Sequence, residues 1–331
     1  MNLTGRPLAL LAALLLASPA VASPPDAGNQ YEQARAWIER MAAAMRDMSY
    51  QGTFVYVRGD EIETMRITHV NDSGVIRERL YAVSGPPREV IRDSSGVRCS
   101  IGGEDAGIKS AMAAGSMFPE FAVEAFSGAR TLYRFEMGKH GRVAGRPGQQ
   151  VRIVPRDDFR YGYDLWMEKE TGLLLRWVLF DEDQKMLAKL VFTELTTGDQ
   201  VDRTELETDA ESSEFINLGQ AVDAAASVSR PLVDPRPNGL PPGFRLAGHT
   251  LESGESGELE HWLYSDGLAT VSVYVETWAA GREAVEGTSR MGTTNAWAKR
   301  AGSRMVTAIG EVPPVTVKRV GTAFVNLPGA P

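Results

Sequence analysis

Ala34, Trp37, Ile38, Met41, Met45 and Met48 follow one another at the three- and four-residue spacing that gathers apolar side chains on one face of an α-helix. From residue 50 the period drops to two. Runs at 51–58, 61–70, 75–83, 88–92 and 97–101 are rich in β-branched and aromatic residues. Between them lie Gly59-Asp60, Asn71-Asp72-Ser73-Gly74, Ser84-Gly85-Pro86-Pro87 and Asp93-Ser94-Ser95-Gly96, which supply the positive or fixed φ of tight turns. The pattern predicts an antiparallel meander. Residues 108–126 interrupt it, with Met112, Met117, Phe118, Phe121 and Phe126 set among small residues, as expected of an apolar loop or short helix. Strand signals resume at 131–137, around 150–154, and at 163–168, 173–180 and 186–195. One helix followed by many strands predicts a helix lying on one face of a large curved antiparallel sheet that ends near Leu195.

Residues 196–238 turn acidic and then proline-rich, which reads as a linker with a short helix near 221–226. A second β-rich block follows over 239–331. Its expected strands are 244–251, 259–264, 269–276, 303–312 and 315–325, with Ser265-Asp266-Gly267 as a hairpin turn. At the other end of the chain, Arg6, the apolar run 8–17, the break at Ser18-Pro19 and the small-x-small Ala20-Val21-Ala22 read as a secretory signal peptide over 1–22. The run is too short to span a bilayer, which takes about 20 apolar residues. The expected organisation is therefore a signal peptide (1–22), a first domain (23–195), a linker and a second domain (239–331). The fold class is α+β, mostly β.

Composition narrows the function more by exclusion than by suggestion. With 43 acidic and 35 basic residues, the formal charge of −8 offers no global attraction to nucleic acid. The single cysteine, Cys99, excludes an intramolecular disulfide, a CxxC redox site and a thiolate zinc cage. The four histidines are dispersed, and no nucleophile elbow, phosphate loop or dinucleotide fingerprint occurs. Gly138-Lys139 lacks the upstream glycine of a phosphate loop and reads as a turn. Asp157-Asp158 reads as a solvated turn between Arg156 and Arg160, since adjacent strand residues point to opposite faces. The expectation is a protein without catalysis, metal or cofactor.

The apolar inventory points to binding. One helix covers little of so large a sheet, and an uncovered apolar face suits a lipid. Phe54 and Tyr56 share one face of the first strand, and Trp166, Leu174 and Leu190 are candidates from the later ones. Met117, Phe118 and Phe121 would form an adaptable lid. The same residues also suit an ordinary core, and the sequence leaves open which strand parity faces inward. For a protein partner the candidates are Arg88, Arg156, Arg160 and Tyr161, residue types favoured at interface centres. Equally, they suit exposed strand ends.

The stretch Tyr50-Gln51-Gly52-Thr53-Phe54-Val55-Tyr56 resembles the MucB/RseB family of periplasmic regulators of sigma-E-type envelope stress factors. The resemblance continues through residues 84–92, Pro155-Arg156-Asp157-Asp158-Phe159-Arg160-Tyr161, Leu240-Pro241-Pro242-Gly243-Phe244, Tyr264-Ser265-Asp266-Gly267-Leu268-Ala269 and residues 306–313, and so spans both blocks. It implies an unclosed β-barrel like that of the periplasmic lipoprotein carriers, with a helix against its concave side, and a smaller second domain. As partner it implies the periplasmic domain of a membrane anti-sigma factor of the RseA/MucA type, held and shielded from the site-1 protease. Lipopolysaccharide or mislocalised lipoprotein would be the releasing signal, and self-association makes a homo-oligomer a further expectation. Two other readings stand beside this one: a periplasmic lipid or lipoprotein carrier, and an exported hydrolase whose site residues are dispersed along the chain.

Overall fold

The computed structural model describes residues 27–85, 87–101, 118, 126–208, 216–217, 237–254, 257–278 and 285–327. The expected signal peptide and the short helix near 221–226 lie outside these residues. Helix α1 (Ala27–Asp47) buries Tyr31, Ala34, Ile38 and Met41, and Trp37, Met45 and Met48 pack at the margin of the same core. The helical period in the sequence is thus the stripe that meets the sheet.

The strands that follow are β1 (Tyr50–Arg58), β2 (Glu61–Asp72), β3 (Val75–Ala82), β4 (Arg88–Asp93) and β5 (Gly96–Ile101). After a short helix α2 (Phe126–Leu132) come β6 (Tyr133–Val143), β7 (Arg146–Pro155), β8 (Gly162–Glu168), β9 (Leu174–Phe180), β10 (Met186–Thr197) and the two-residue β11 (Ile216–Asn217). They form one eleven-stranded antiparallel sheet in the order β11-β5-β4-β3-β2-β1-β10-β9-β8-β7-β6. The sheet does not close: β11 and β6 are its two edges. β1–β5 and β6–β10 are each a meander with local turns, the long-range pairing of β1 with β10 joins them, and β11 returns to the edge at β5. Thr131 and Leu132, expected in a strand, belong to α2. Gly138-Lys139, expected as a turn, lies within β6, where the pairing to β7 slips between Met137 and His140 and a bulge absorbs the extra residues.

A second, six-stranded antiparallel sheet comprises β12 (Arg245–Gly254), β13 (Gly257–Ser265), β14 (Thr270–Thr277), β15 (Gly287–Met291), β16 (Thr294–Ala301) and β17 (Arg304–Gly310), in the order β12-β13-β14-β17-β16-β15. The segment 315–325, expected as a strand, is instead helix α3 (Pro314–Val325). Its valines suggest a strand, but Val317, Val320 and Phe324 recur at helical spacing and are all fully buried against the sheet. Proline at the first position is compatible with a helix start, where the missing N–H is not needed. The mostly polar β15 and much of β16 have no strand-like pattern in the sequence and pair at the sheet's edge.

The expected boundary at Leu195 falls inside β10, and the chain beyond it straps across the outer face of the first sheet. Asp202 caps a 3-10 turn at Arg203–Leu206. Arg66 holds Glu205 through two bonds of 2.6 and 2.8 Å, Arg203 pairs with Asp72 at 2.6 Å, and Thr208 bonds Glu89 at 3.0 Å. Arg79 donates to the carbonyls of Glu205 and Glu207. The strap leads to β11, whose Ile216 lies opposite the buried Cys99. Because the chain has one cysteine, thiol labelling reports opening of this edge. Ion pairs this close to water contribute at most about 1 kcal/mol and are screened by salt. Glu205→Gln is therefore expected to speed maleimide labelling of Cys99 in the folded protein about two- to fivefold, with salt doing the same to the parent chain; equal rates would show that the strap does not guard the thiol. Arg66 holds the Glu205 carboxyl below its usual range. Its contribution is thus present above the ordinary glutamate pKa and is lost as pH falls through the lowered one, so the labelling rate, taken relative to a free thiol at the same pH to remove the falling thiolate fraction, should rise in acid.

Candidate binding face and domain junction

Strand register settles which parity faces α1. Phe54 pairs with Met65 and Phe192, and Tyr56 with Leu190, all on the side that shares the core with the helix. The next row inward runs Leu190, Trp177, Leu165, Val151, and the row beside it runs Arg58, Ala188, Leu179, Tyr163, Ile153, Phe135. Phe118 sits over this wall half-buried, edge-on to Phe54 at 5.7 Å and stacked on Phe192 at 6.1 Å. Tyr56 is half-buried against Trp177, 6.0 Å between ring centres, and burial pushes its phenol up to about 12. Phe54, Tyr56, Phe118, Leu174 and Leu190 therefore do share one apolar face.

Trp166 does not. It neighbours Leu165 and Met167, which point inward, so it projects to the outer side, under the Arg176 guanidinium at 5.2 Å. The two-residue side-chain period makes that assignment unavoidable once Leu165 is known to be in the core. Met117 and Phe121 lie outside the described residues. Leu174 and Leu190 are almost wholly enclosed, as is Phe54, so the half-buried Tyr56 and Phe118 are the part of the face open to a visitor.

The four partner-side candidates separate just as clearly. Arg88 is half-buried on the inner side, paired with Glu63 at 2.5 Å and near the Met65 sulfur at 3.7 Å. Arg156 is exposed, its Nε donating to the Tyr133 carbonyl at 3.2 Å. Arg160 and Tyr161, expected on a surface, are buried between the two sheets. The turn from β7 to β8 pushes them there. Arg160 has no exposed surface, and its three nitrogens reach Asp157 at 2.6 Å, the Pro242 carbonyl at 2.6 Å and Asp266 at 2.8 Å. Its guanidinium also lies over the Tyr133 and Phe244 rings.

Asp266 is correspondingly well satisfied. One carboxylate oxygen accepts the Tyr133 hydroxyl at 2.9 Å and faces Arg160; the other accepts the backbone N–H groups of Leu268 and Ala269 at 2.9 and 2.8 Å. Burial, with Asp266 adjacent, raises the Tyr133 phenol far above its ordinary value. Two further bonds cross the junction: Asn295, whose amide also donates to the Val312 carbonyl of its own domain at 2.8 Å, donates to the Tyr161 hydroxyl at 3.0 Å, and Thr316 donates to the Phe159 carbonyl at 2.7 Å. Gly243, at φ +85°, brings its backbone against Leu132, leaving no room for a side chain. Tyr133, Asp266 and Asn295 escaped sequence reasoning because a contact 133 residues apart along the chain leaves no local pattern. Among the described residues, no three His, Cys, Asp or Glu side chains converge as a metal site requires.

Models of the MucB/RseB N-terminal and C-terminal domains match residues 33–210 and 235–324. The chain belongs to the MucB/RseB family. Sigma factor AlgU regulatory protein MucB of Pseudomonas aeruginosa is 33% identical over 326 residues, 96% of each chain. Among solved structures, that organism's MucA/MucB complex aligns with a TM-score of 0.67 at 30% identity, covering 87% of this chain and 97% of that one. A crystal structure of MucB aligns at 0.64 with the same identity, covering 88% of this chain and 97% of that one. The large unclosed sheet followed by a smaller one is thus shared with MucB, and the relatives MucB and RseB carry the names of sigma-factor regulators rather than enzymes. The stretches 155–161, 240–244 and 264–269, which carry the resemblance in the sequence, come together at the Arg160 junction.

Proposed function

We propose that this chain is a non-enzymatic periplasmic regulator. It binds the periplasmic segment of a membrane anti-sigma factor, shields that segment from site-1 proteolysis, and lets it go when a lipid or lipoprotein signal occupies the inner face of the first sheet. The observation that carries the reading is the likeness, through both sheets, to MucB in complex with MucA. Support for the signal site comes from the aromatic wall of Phe54, Tyr56, Trp177 and Phe192 with Phe118 laid across it. By linkage, a signal loosens the complex only if it binds the free regulator more tightly than the bound one.

Protease protection tests partner and signal together. The purified chain should retain the anti-sigma segment and slow its cleavage, and added lipid A should restore cleavage; absence of retention and protection would remove the proposal. A carrier, the alternative that the same apolar wall favours, would instead emerge from the periplasm loaded with acyl chains and pass them to an acceptor. Phe118→Ala separates ligand contact from folding. Losing a half-buried ring over the wall forfeits about 1.5 kcal/mol of apolar contact, so acyl-chain affinity should fall about tenfold. The melting temperature should move by only a few degrees, since the ring lies at the margin of the core. Unchanged affinity in a fluorescent-probe displacement titration would place the ligand elsewhere.

A further inference from the structure

The Ser265–Ala269 turn belongs to the second sheet, yet Leu268 is buried in the core of the first. Its backbone N–H is tied to Asp266, and Asp266 is tied to Arg160 and Tyr133, so the side chain of Leu268 and the ion pair move as one piece. That piece stands at a particular end of the inner face. The register places Tyr163 in the row next to Tyr56 and Trp177, and Tyr133, beside Phe135 at the end of that row, donates its hydroxyl to Asp266 at 2.9 Å. Gly292, also from the second domain, meets the same row at Arg58. The second sheet therefore closes the end of the apolar wall, and Leu268 is the apolar group it inserts there.

We propose that the Asp266–Leu268 turn is a latch that couples occupancy of the inner face to the placement of the second domain. An acyl chain that extends along the wall to its closed end competes with Leu268 for the same apolar space, and expelling Leu268 draws Asp266 away from Arg160. The latch rests on the reading of the inner face as an acyl-chain site and adds the element through which that site acts. The buried polar pair makes the response two-state: Arg160 and Asp266 are either fully paired or exposed to water, because an intermediate separation strands both charges.

The test uses the full chain lacking its signal segment, with Cys99→Ala and with nitroxide labels at Lys169→Cys and Lys299→Cys, exposed sites on the two domains. Laurate is the probe, its binding followed by fluorescent-probe displacement and the interlabel distance by pulsed electron resonance. Saturating laurate should shift or broaden the distance distribution. Leu268→Ala, which removes the competitor, should bind laurate about tenfold more tightly, the affinity equivalent of the apolar burial that Leu268 otherwise contests. A side chain that merely packed would weaken binding or leave it unchanged. Laurate that binds without moving the labels, or that binds Leu268→Ala no better than the parent, overturns the latch and leaves the acyl-site reading standing. Failure of laurate to bind the parent chain at all overturns both.

Discussion

Replacing Arg160 by methionine is expected to lower the stability of the protein by about 3–5 kcal/mol, the range for removing one partner of a buried ion pair. The loss comes less from the attraction forfeited than from what remains. Asp266, its side chain without exposed surface, would keep the Tyr133 hydroxyl and two backbone N–H groups but lose the cation it faces, and the Pro242 carbonyl would lose the Arg160 donor. Denaturant unfolding should show a clear fall in the midpoint, together with a new low-denaturant phase as the second domain detaches. The double replacement Arg160→Met with Asp266→Leu should recover much of the loss, because apolar groups of similar volume can replace a buried pair at little cost. If the single variant unfolds like the parent, the pair is dispensable and the two domains are held by the surrounding packing alone.

Phe54→Ala should be almost as damaging, at about 3–5 kcal/mol, for a different reason. The ring has no exposed surface, lies 5.4 Å from Phe192 and 5.7 Å from Phe118, and belongs to the pair of strands that joins the two halves of the sheet. Truncation leaves a cavity between strands that are locked by hydrogen bonding and cannot close over it. Thermal unfolding of the variant should therefore shift far more than that of Phe118→Ala. Equal shifts in the two would mean that Phe118 is as much a part of the core as Phe54 and is not an adaptable cover.

These two residues show how differently a sequence exposes its consequences. Phe54 was legible: period-two alternation beside Gly52 and Tyr56 marks an inward strand position, although parity alone could not say which side was inward. Arg160 was not. In the string Arg156-Asp157-Asp158-Phe159-Arg160-Tyr161 the aspartates read as a solvated turn and Arg156, Arg160 and Tyr161 as partner contacts or exposed strand ends, and Arg156 and Asp158 are exposed. Arg160 differs only because the second domain closes over it. Similarly, Trp166 looked like its neighbours Leu165 and Met167 until their register placed them inside and it outside. Helix α3 differs for a third reason: valine favours strands, and the helical spacing of Val317, Val320 and Phe324 prevails because that face docks on the sheet, with Gly321 leaving room for the Trp297 ring.

Local order along the chain was sufficient for α1, for most of the first sheet's strands and their turns, for four strands of the second sheet, and for the family itself, because each depends on residues a few positions apart and their signals survive in one dimension. The open edges of the sheet, the strap that ends on Cys99, the inward parity of β1 and the junction at Arg160 and Asp266 depend on residues more than a hundred positions apart. Their energies come from burial and charge pairing, and those exist only after the chain has folded back on itself.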